Sequence, residues 1–471
     1  MLFPTIEFAI FFAIVFPLTW LLNDRNTAKK WFLTAVSYFF YGFWSVHFTA
    51  LLFGSSLGNF LLALWLERLQ DGRWRRAVLW LGIAANLAVL GYFKYYNFFV
   101  ASLINLMLAL GLPIELTFIE VALPIAISFL TFHALSYIID VYGRRIKPTH
   151  SLIDILLYIS FFPHLIAGPI VRARAFLEQT VRKSDPRDIA LGLCVFLIVG
   201  GLFKKVIIAN YLATDFVDGV FRSPEAFSRL DLLLGMYAYA LEIYCDFSAY
   251  TDIAIGVAML LGYRFPQNFN QPYRALSVQD FWRRWHMTLS SWLRDYLYIP
   301  LGGNRGGRLA TYRNIMITMG LGGLWHGASF NFVIWGLLHG AALVLERMLG
   351  GKGGEEGKRR IPAVLAWFIS FHFICLTWVF FRAPSLEQAM SYLHTLLFGD
   401  AVLGTTMSPL VAVVLIVGAL TQIIPDRWFD GIEAWYDRAP TLVKVAIPFV
   451  VIFAVAVAAP GGVPPFIYFQ F

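Results

Sequence analysis

Apolar residues arrive in blocks along this chain, and polar residues are confined to the gaps between them. The blocks run from Phe8 to Ala458 without a long polar interruption. Length alone suggests about three domains, but this pattern reads as one membrane domain over residues 1–471. A helix needs about 20 mostly apolar residues to cross a bilayer. Residues 6–22, 231–261, 363–381, 410–424 and 442–458 read as crossings, and the whole chain predicts about ten of them. The first block has no basic leading region and no small-residue cleavage site before its charges, so it is expected to be retained. The fold class is an all-α integral membrane protein with re-entrant or interfacial helices between the crossings.

Two blocks break the pattern. Residues 155–171 are interrupted by Pro163-His164 and Gly168-Pro169, which predicts a re-entrant element. The span 314–350 has only about ten residues before Gly320-Leu321-Gly322-Gly323-Leu324-Trp325-His326-Gly327-Ala328, where a crossing needs roughly 20. A broken hairpin is expected there, on backbone freed by the glycines, with His326 near its inner end. Non-helical backbone at membrane depth survives only inside protein or beside a wet cavity. His326 is therefore expected at the bottom of a cavity. An ionisable group in hydrocarbon costs roughly 2.5 kcal/mol or more when charged, so a chain that keeps one there has a use for it. A catalytic base is the reading, and residues 120–350 are the expected catalytic core.

Composition agrees with the pattern. Charged residues make up 14% of the chain, against about 25% in soluble domains. The net charge of +8 raises the question of nucleic acid. The basic residues cluster in short loops, as the positive-inside rule requires, so no nucleic-acid partner is expected. Residues 23–31, 67–76, 141–150 and 172–187 are basic and read as cytoplasmic, while 44–47, 114–120 and 215–225 read as external. The span 264–313 is basic, Trp-rich and interrupted by Pro266, Pro272 and Pro300, and reads as interfacial or re-entrant on the cytoplasmic side. Loop 352–360 is also basic. Both termini are thus expected outside. Cys194, Cys245 and Cys375 stand alone with no CxxC pair, so no metal site and no disulfide framework are expected.

Several polar groups sit in apolar surroundings. In residues 280–290, Trp282, Trp285 and Leu289 share one helix face while Arg283, Arg284 and Met287 lie elsewhere. An interfacial helix with aromatic anchors and a basic mouth that grips an anionic acyl donor both fit, the mouth drawing on Arg283, Arg284, Arg294 and Arg305. His286 then sits beside the entry path. The glycine-rich run 301–308 reads equally as a phosphate-binding loop or a plain connector. Asp246 and Asp252 lie in an apolar span and need partners; Arg283, Arg284 and Arg294 are candidates. His133, His164, His339 and His372 read as core or interfacial histidines.

Trp282-Arg283-Arg284-Trp285-His286, Trp292-Leu293-Arg294-Asp295-Tyr296-Leu297-Tyr298-Ile299 and Gly322-Gly323-Leu324-Trp325-His326-Gly327 resemble the membrane-bound O-acyltransferase family, in its bacterial alginate O-acetylation branch. Phe162-Pro163-His164-Leu165-Ile166-Ala167-Gly168-Pro169 and Ser136-Tyr137-Ile138-Ile139-Asp140-Val141-Tyr142 extend the resemblance over nearly the whole chain. It implies many helices around a central funnel, with an acyl group passed from the cytoplasm to an external acceptor. His326 matches the family's catalytic histidine and His286 a second histidine of this branch. Asp246, Asp252 and Trp325 are expected to support them.

The resemblance further implies acetyl-coenzyme A as donor, no bound cofactor, and a place in the bacterial inner membrane. The implied partners are a periplasmic or membrane-tethered SGNH-type acetyltransferase, a polysaccharide synthesis and export complex, and the lipid bilayer. O-acetylation of an exported polysaccharide, such as alginate or cellulose, is the expected role. D-alanyl transfer, peptidoglycan O-acetylation and a transporter or flippase without chemistry remain rivals. The external aromatic tail, residues 460–471, resembles the C-terminal motif of the small membrane partner in teichoic acid D-alanylation. Tyr468 is thereby a candidate acyl acceptor, with an aromatic belt anchoring the last helix as the plainer alternative.

Overall fold

The computed structural model describes all residues except 121, 351–360, 401–403, 459–465 and 468–471. The loop expected at 352–360 and most of the tail, including Tyr468, therefore lie outside the described residues; Phe466 and Ile467 lie within them. Every regular element among the described residues is helical. Among the described residues, six helices are long and apolar enough to cross a bilayer: Val46–Arg68, Arg73–Ala109, Leu191–Arg222, Arg229–Leu260, Phe330–Leu349 and Ala363–Arg382. Four shorter apolar helices, Ile6–Leu21, Ile127–Tyr142, Pro409–Leu420 and Thr441–Val451, accompany them. The protein is a multi-pass membrane protein.

The first helix shows why lipid is its solvent. Phe8, Phe11, Val15 and Thr19, spaced by three and four, are buried on one face. Ile6, Ile10, Ile14, Leu18 and Leu21 form an equally apolar face that is exposed. A helix apolar all round needs protein on one side and hydrocarbon on the other. Its start is fixed locally, since the Thr5 hydroxyl accepts the Phe8 N–H and supplies a partner that the helix cannot.

The chain forms two compact units. The first comprises residues 1–189 and 257–265. Its buried charges are matched: Lys30 Nζ lies 2.7 Å from Asp154, and Arg75 donates to the carbonyls of Val141 and Tyr142. Lys29 donates to Asn23 and Ser184. The second unit comprises residues 190–256 and 266–471, and it holds every described residue of the candidate site.

The glycine cluster of the second unit does not break its helix. Gly307–His326 runs unbroken for 20 residues, about 30 Å at 1.5 Å per residue. It stops at His326, where Gly327 is extended at φ −160, and Phe330–Gly350 returns alongside. The glycines serve a different purpose from the expected one: they let two helices touch. A Cβ on Gly323 would lie 3.1 Å from the Cα and N of Gly336 and collide with the Phe332 carbonyl. His326 thus closes the first arm of a helical hairpin, at its turn.

Candidate active site

His326 is 2% exposed and is the last residue of its helix. A helix C-terminus carries partial negative charge that favours a cation there, which is what an imidazole becomes on taking a proton. Aromatic rings wall it in. Trp325 lies at 5.0 Å between ring centroids, Trp335 at 5.1 Å edge-on and Phe381 at 5.2 Å. Trp325 also faces His286, at 6.3 Å. The two histidines are thus brought to one indole from elements 40 residues apart in number.

His286 is held in one tautomer. The Asn268 side-chain oxygen receives the Thr288 backbone N–H at 3.1 Å and the Thr288 hydroxyl at 2.9 Å. A backbone N–H only donates, so the amide must present oxygen there. The same oxygen lies 3.2 Å from His286 Nδ1, which must therefore carry the proton. Nε2 is left with its lone pair, buried and without a hydrogen-bond partner among the described residues. Burial pushes the imidazole pKa down to about 3, so the ring is neutral. Its backbone sits at φ +41, a left-handed conformation that branched and bulky residues avoid and that clusters at functional sites. The Met287 N–H donates to the Asn268 carbonyl at 2.9 Å and fixes this turn.

A second histidine is fixed behind the first. His339 Nδ1 accepts the Trp282 indole N–H at 3.3 Å, so its Nε2 carries the proton and faces the Thr377 hydroxyl at 3.0 Å. Trp335 lies between His339, at 4.8 Å, and His326. His339 is a satisfied histidine that orients a wall of the site. His372 is tied to the Tyr237 hydroxyl at 2.6 Å. In the first unit, His133 Nε2 accepts the Val171 N–H and its ring lies 4.6 Å from that of His164.

Beside the histidines opens a cleft of about 650 Å³ lined by Trp282, Arg283, Met287, Arg294, Tyr298, Met319 and Arg347, among others. Met287 follows His286 directly, and Met319 lies two turns before His326 on the same helix. Glu346 also lines the cleft, but its carboxylate is occupied by the N–H groups of Val278 and Gln279. Arg294 shares its charge with Asp295 at 2.7 Å. Arg284 does not line the cleft and pairs with Asp280 at 2.9 Å. Arg305 is exposed and also outside the lining, although its neighbour Asn304 belongs to it. The glycine-rich run is tied down by Asn314, which donates to the Gly303 carbonyl at 3.1 Å.

The arginines are not the partners of the buried Asp246 or the half-buried Asp252. Asp246 pairs with Lys205 at 2.7 Å, and Asp252 pairs with Lys204. Lys204–Ala209 is a π-helical stretch, and its wider turn lets adjacent lysines reach carboxylates six positions apart on Arg229–Leu260. Lys204, Lys205 and Arg347 carried no motif by which the sequence alone would mark them; Asn268 lies in residues 262–271, a stretch that shares the family resemblance but pointed to no role for this residue.

The sequence pattern of the membrane-bound O-acyltransferase family matches residues 127–381, which include both histidines, the cleft and the carboxylates. The chain belongs to the membrane-bound O-acyltransferase family. It is 44% identical over 394 residues to a protein of Pseudomonas aeruginosa named "Probable alginate O-acetylase AlgI", covering 83% of this chain and 73% of that one. It is 41% identical to the peptidoglycan O-acetyltransferase of Helicobacter pylori, over 78% of this chain and 73% of that one. The teichoic acid D-alanyltransferase of Bacillus subtilis is 30% identical over 56% of this chain and 70% of its own length. The protein is an O-acyltransferase that uses an acyl donor, which sets aside a transporter without chemistry.

Proposed function

We propose that this enzyme takes acetyl groups from acetyl-coenzyme A on the cytoplasmic side of the inner membrane and delivers them for O-acetylation of an exported polysaccharide. The observation that carries the reading is the pairing of His326 with His286 across Trp325, beside a cleft that presents Arg283, Arg294 and Arg347. The arginines suit the phosphates of a coenzyme A or phosphopantetheine thioester. The methionines lead its acyl end inward.

In this mechanism His326 accepts the proton of an attacking hydroxyl. The oxygen bonds to the thioester carbonyl carbon, the carbon–sulfur bond breaks, and the sulfur leaves as a thiol by taking up the proton that His326 accepted. General-base assistance of this kind contributes about 10²–10⁴-fold. The lone pair on His286 Nε2 makes that ring an acceptor, suited to orienting a hydroxyl or a protonated leaving group. Tyr468 is the proposed hydroxyl, forming an acetyl ester that an SGNH-type partner outside then empties; this relay divides one long transfer into two shorter ones. The basic loops, read as cytoplasmic, support a periplasmic position for both termini.

The acceptor polymer has a second reading. The relatives named for alginate and for peptidoglycan are 44% and 41% identical over similar spans, so similarity does not separate the two polymers. Acetyl content should be measured in both exported polysaccharide and peptidoglycan, in cells with the native enzyme, His326→Ala and Tyr468→Phe. His326→Ala is expected to abolish acetylation of one polymer while the protein remains in the membrane. Native acetylation by that variant would remove His326 as the base, and native acetylation by Tyr468→Phe would leave the tail as an anchor only.

A further inference from the structure

Two residues of the C-terminal segment, Phe466 and Ile467, are docked in the core of the second unit. Phe466 is fully buried and Ile467 is 4% exposed. The Phe466 ring lies 4.7 Å from Tyr250 and 5.4 Å from Phe247, between centroids. The Ile467 N–H donates to Asp246 Oδ2 at 2.8 Å, across 221 positions of sequence. The other oxygen of that carboxylate, Oδ1, lies 2.7 Å from Lys205 Nζ, and both side chains of the ion pair are under 5% exposed. Phe247, which receives Phe466, also stands edge-on to His286 at 4.7 Å.

We propose that Lys205 and Asp246 form a seat for the C-terminal segment, with Asp246 as the positioning residue that fixes the chain at Ile467 beside the histidine wall. A buried ion pair by itself is weak evidence of stabilisation, because desolvation opposes the Coulomb attraction. This pair does something that an apolar pair cannot. A backbone N–H removed from water needs an acceptor, and a carboxylate whose charge is balanced by Lys205 provides a charge-assisted one. Phe466 supplies affinity by burying a large ring, and Asp246 supplies register, since its Oδ2 receives the N–H of Ile467, the residue next to that ring. A shift of one residue would turn Phe466 out of its aromatic pocket and move Ile467 away from the carboxylate together.

The seat stands whatever the tail does chemically; its importance for transfer rests on the relay through Tyr468 proposed above. The test keeps the two apart. Ile467→Cys in the full-length, detergent-solubilised protein is treated with a maleimide, with Glu387→Cys as an exposed reference and the native cysteines, all buried, as background. Ile467→Cys should react much more slowly than the reference. Adding Asp246→Ala should speed its labelling about tenfold or more, the worth of one charge-assisted hydrogen bond. Lys205→Met with Asp246→Asn retains an acceptor without a lone charge and should restore most of the protection. Phe466→Ala, a change in the tail itself, should expose Ile467→Cys even where an Asp246 variant does not fold. Fast labelling in the parent, or slow labelling in both Asp246→Ala and Phe466→Ala, overturns the seat. Faster labelling with full polymer acetylation keeps the seat and overturns the relay.

Discussion

Replacing Gly323 by alanine tests whether helix contact, rather than a loosened backbone, holds His326 in place. The new Cβ would overlap the Phe332 carbonyl and lie 3.1 Å from the Cα and N of Gly336. All of these are backbone atoms that cannot rotate away. Restoring ordinary contact at about 3.4 Å or more requires the two helices to part by on the order of 1 Å, and overpacking of this kind costs about 1–3 kcal/mol. Alanine returns up to ~1 kcal/mol as the better helix former, so the net loss of stability is modest, on the order of 1–2 kcal/mol. Catalysis should suffer more. His326, the proposed base, lies three residues after Gly323 on the same rigid helix, and a displacement of about 1 Å in a reacting group can lower the rate about 10²-fold. Gly320→Ala is the control, because its Cβ would meet the Leu337 side chain at 3.2 Å, and that side chain can yield. O-acetyl groups per sugar in the exported polymer, normalised to enzyme in the membrane, should fall steeply for Gly323→Ala and little for Gly320→Ala. Melting of the solubilised protein should differ by only a few degrees. Parental acetylation by Gly323→Ala would refute the close-contact reading, as would equal losses in both variants.

Two further outcomes follow from His286. Asn268→Ala removes the acceptor that holds the proton on Nδ1, so acetylation should fall about tenfold or more, while Asn268→Asp, which retains the accepting oxygen, should recover part of it; equal activity in the two variants would show that the tautomer does not matter. The second outcome concerns acid. With its pKa near 3 in the folded protein and an ordinary value of 6.5, His286 binds its proton more readily when unfolded. The stability it allows is fully present above pH 6.5 and falls by up to about 1.4 kcal/mol per unit as pH drops toward 3. His286→Gln should therefore lose stability less steeply than the parent between pH 7 and pH 5, read by thermal unfolding in detergent, and parallel slopes would contradict the burial of a neutral ring.

The sequence by itself determined the solvent and the chemistry. Apolar blocks separated by short basic loops leave hydrocarbon as the only medium in which such helices can pack, and that reading needs no tertiary contact. His326 was legible because a histidine amid glycines and apolar residues has no ordinary solvated role, and the motifs around it and His286 carry the family. Tertiary structure decided everything that depends on which faces meet. Glycine gives the same local signal whether it loosens a backbone or lets another helix approach, and only the position of Gly336 and Phe332 against Gly323 separates the two. Asp246 and Asp252 announced a need for cations, but the choice of Lys205 and Lys204 over the arginines follows from a π-helical turn and the packing of one helix on another. The tautomer of His286 hangs on Asn268, 18 positions away, and the seating of Ile467 hangs on a carboxylate 221 positions away. Hydrogen bonds act over about 3 Å of space, and no pattern along the chain records which distant groups folding will bring within that reach.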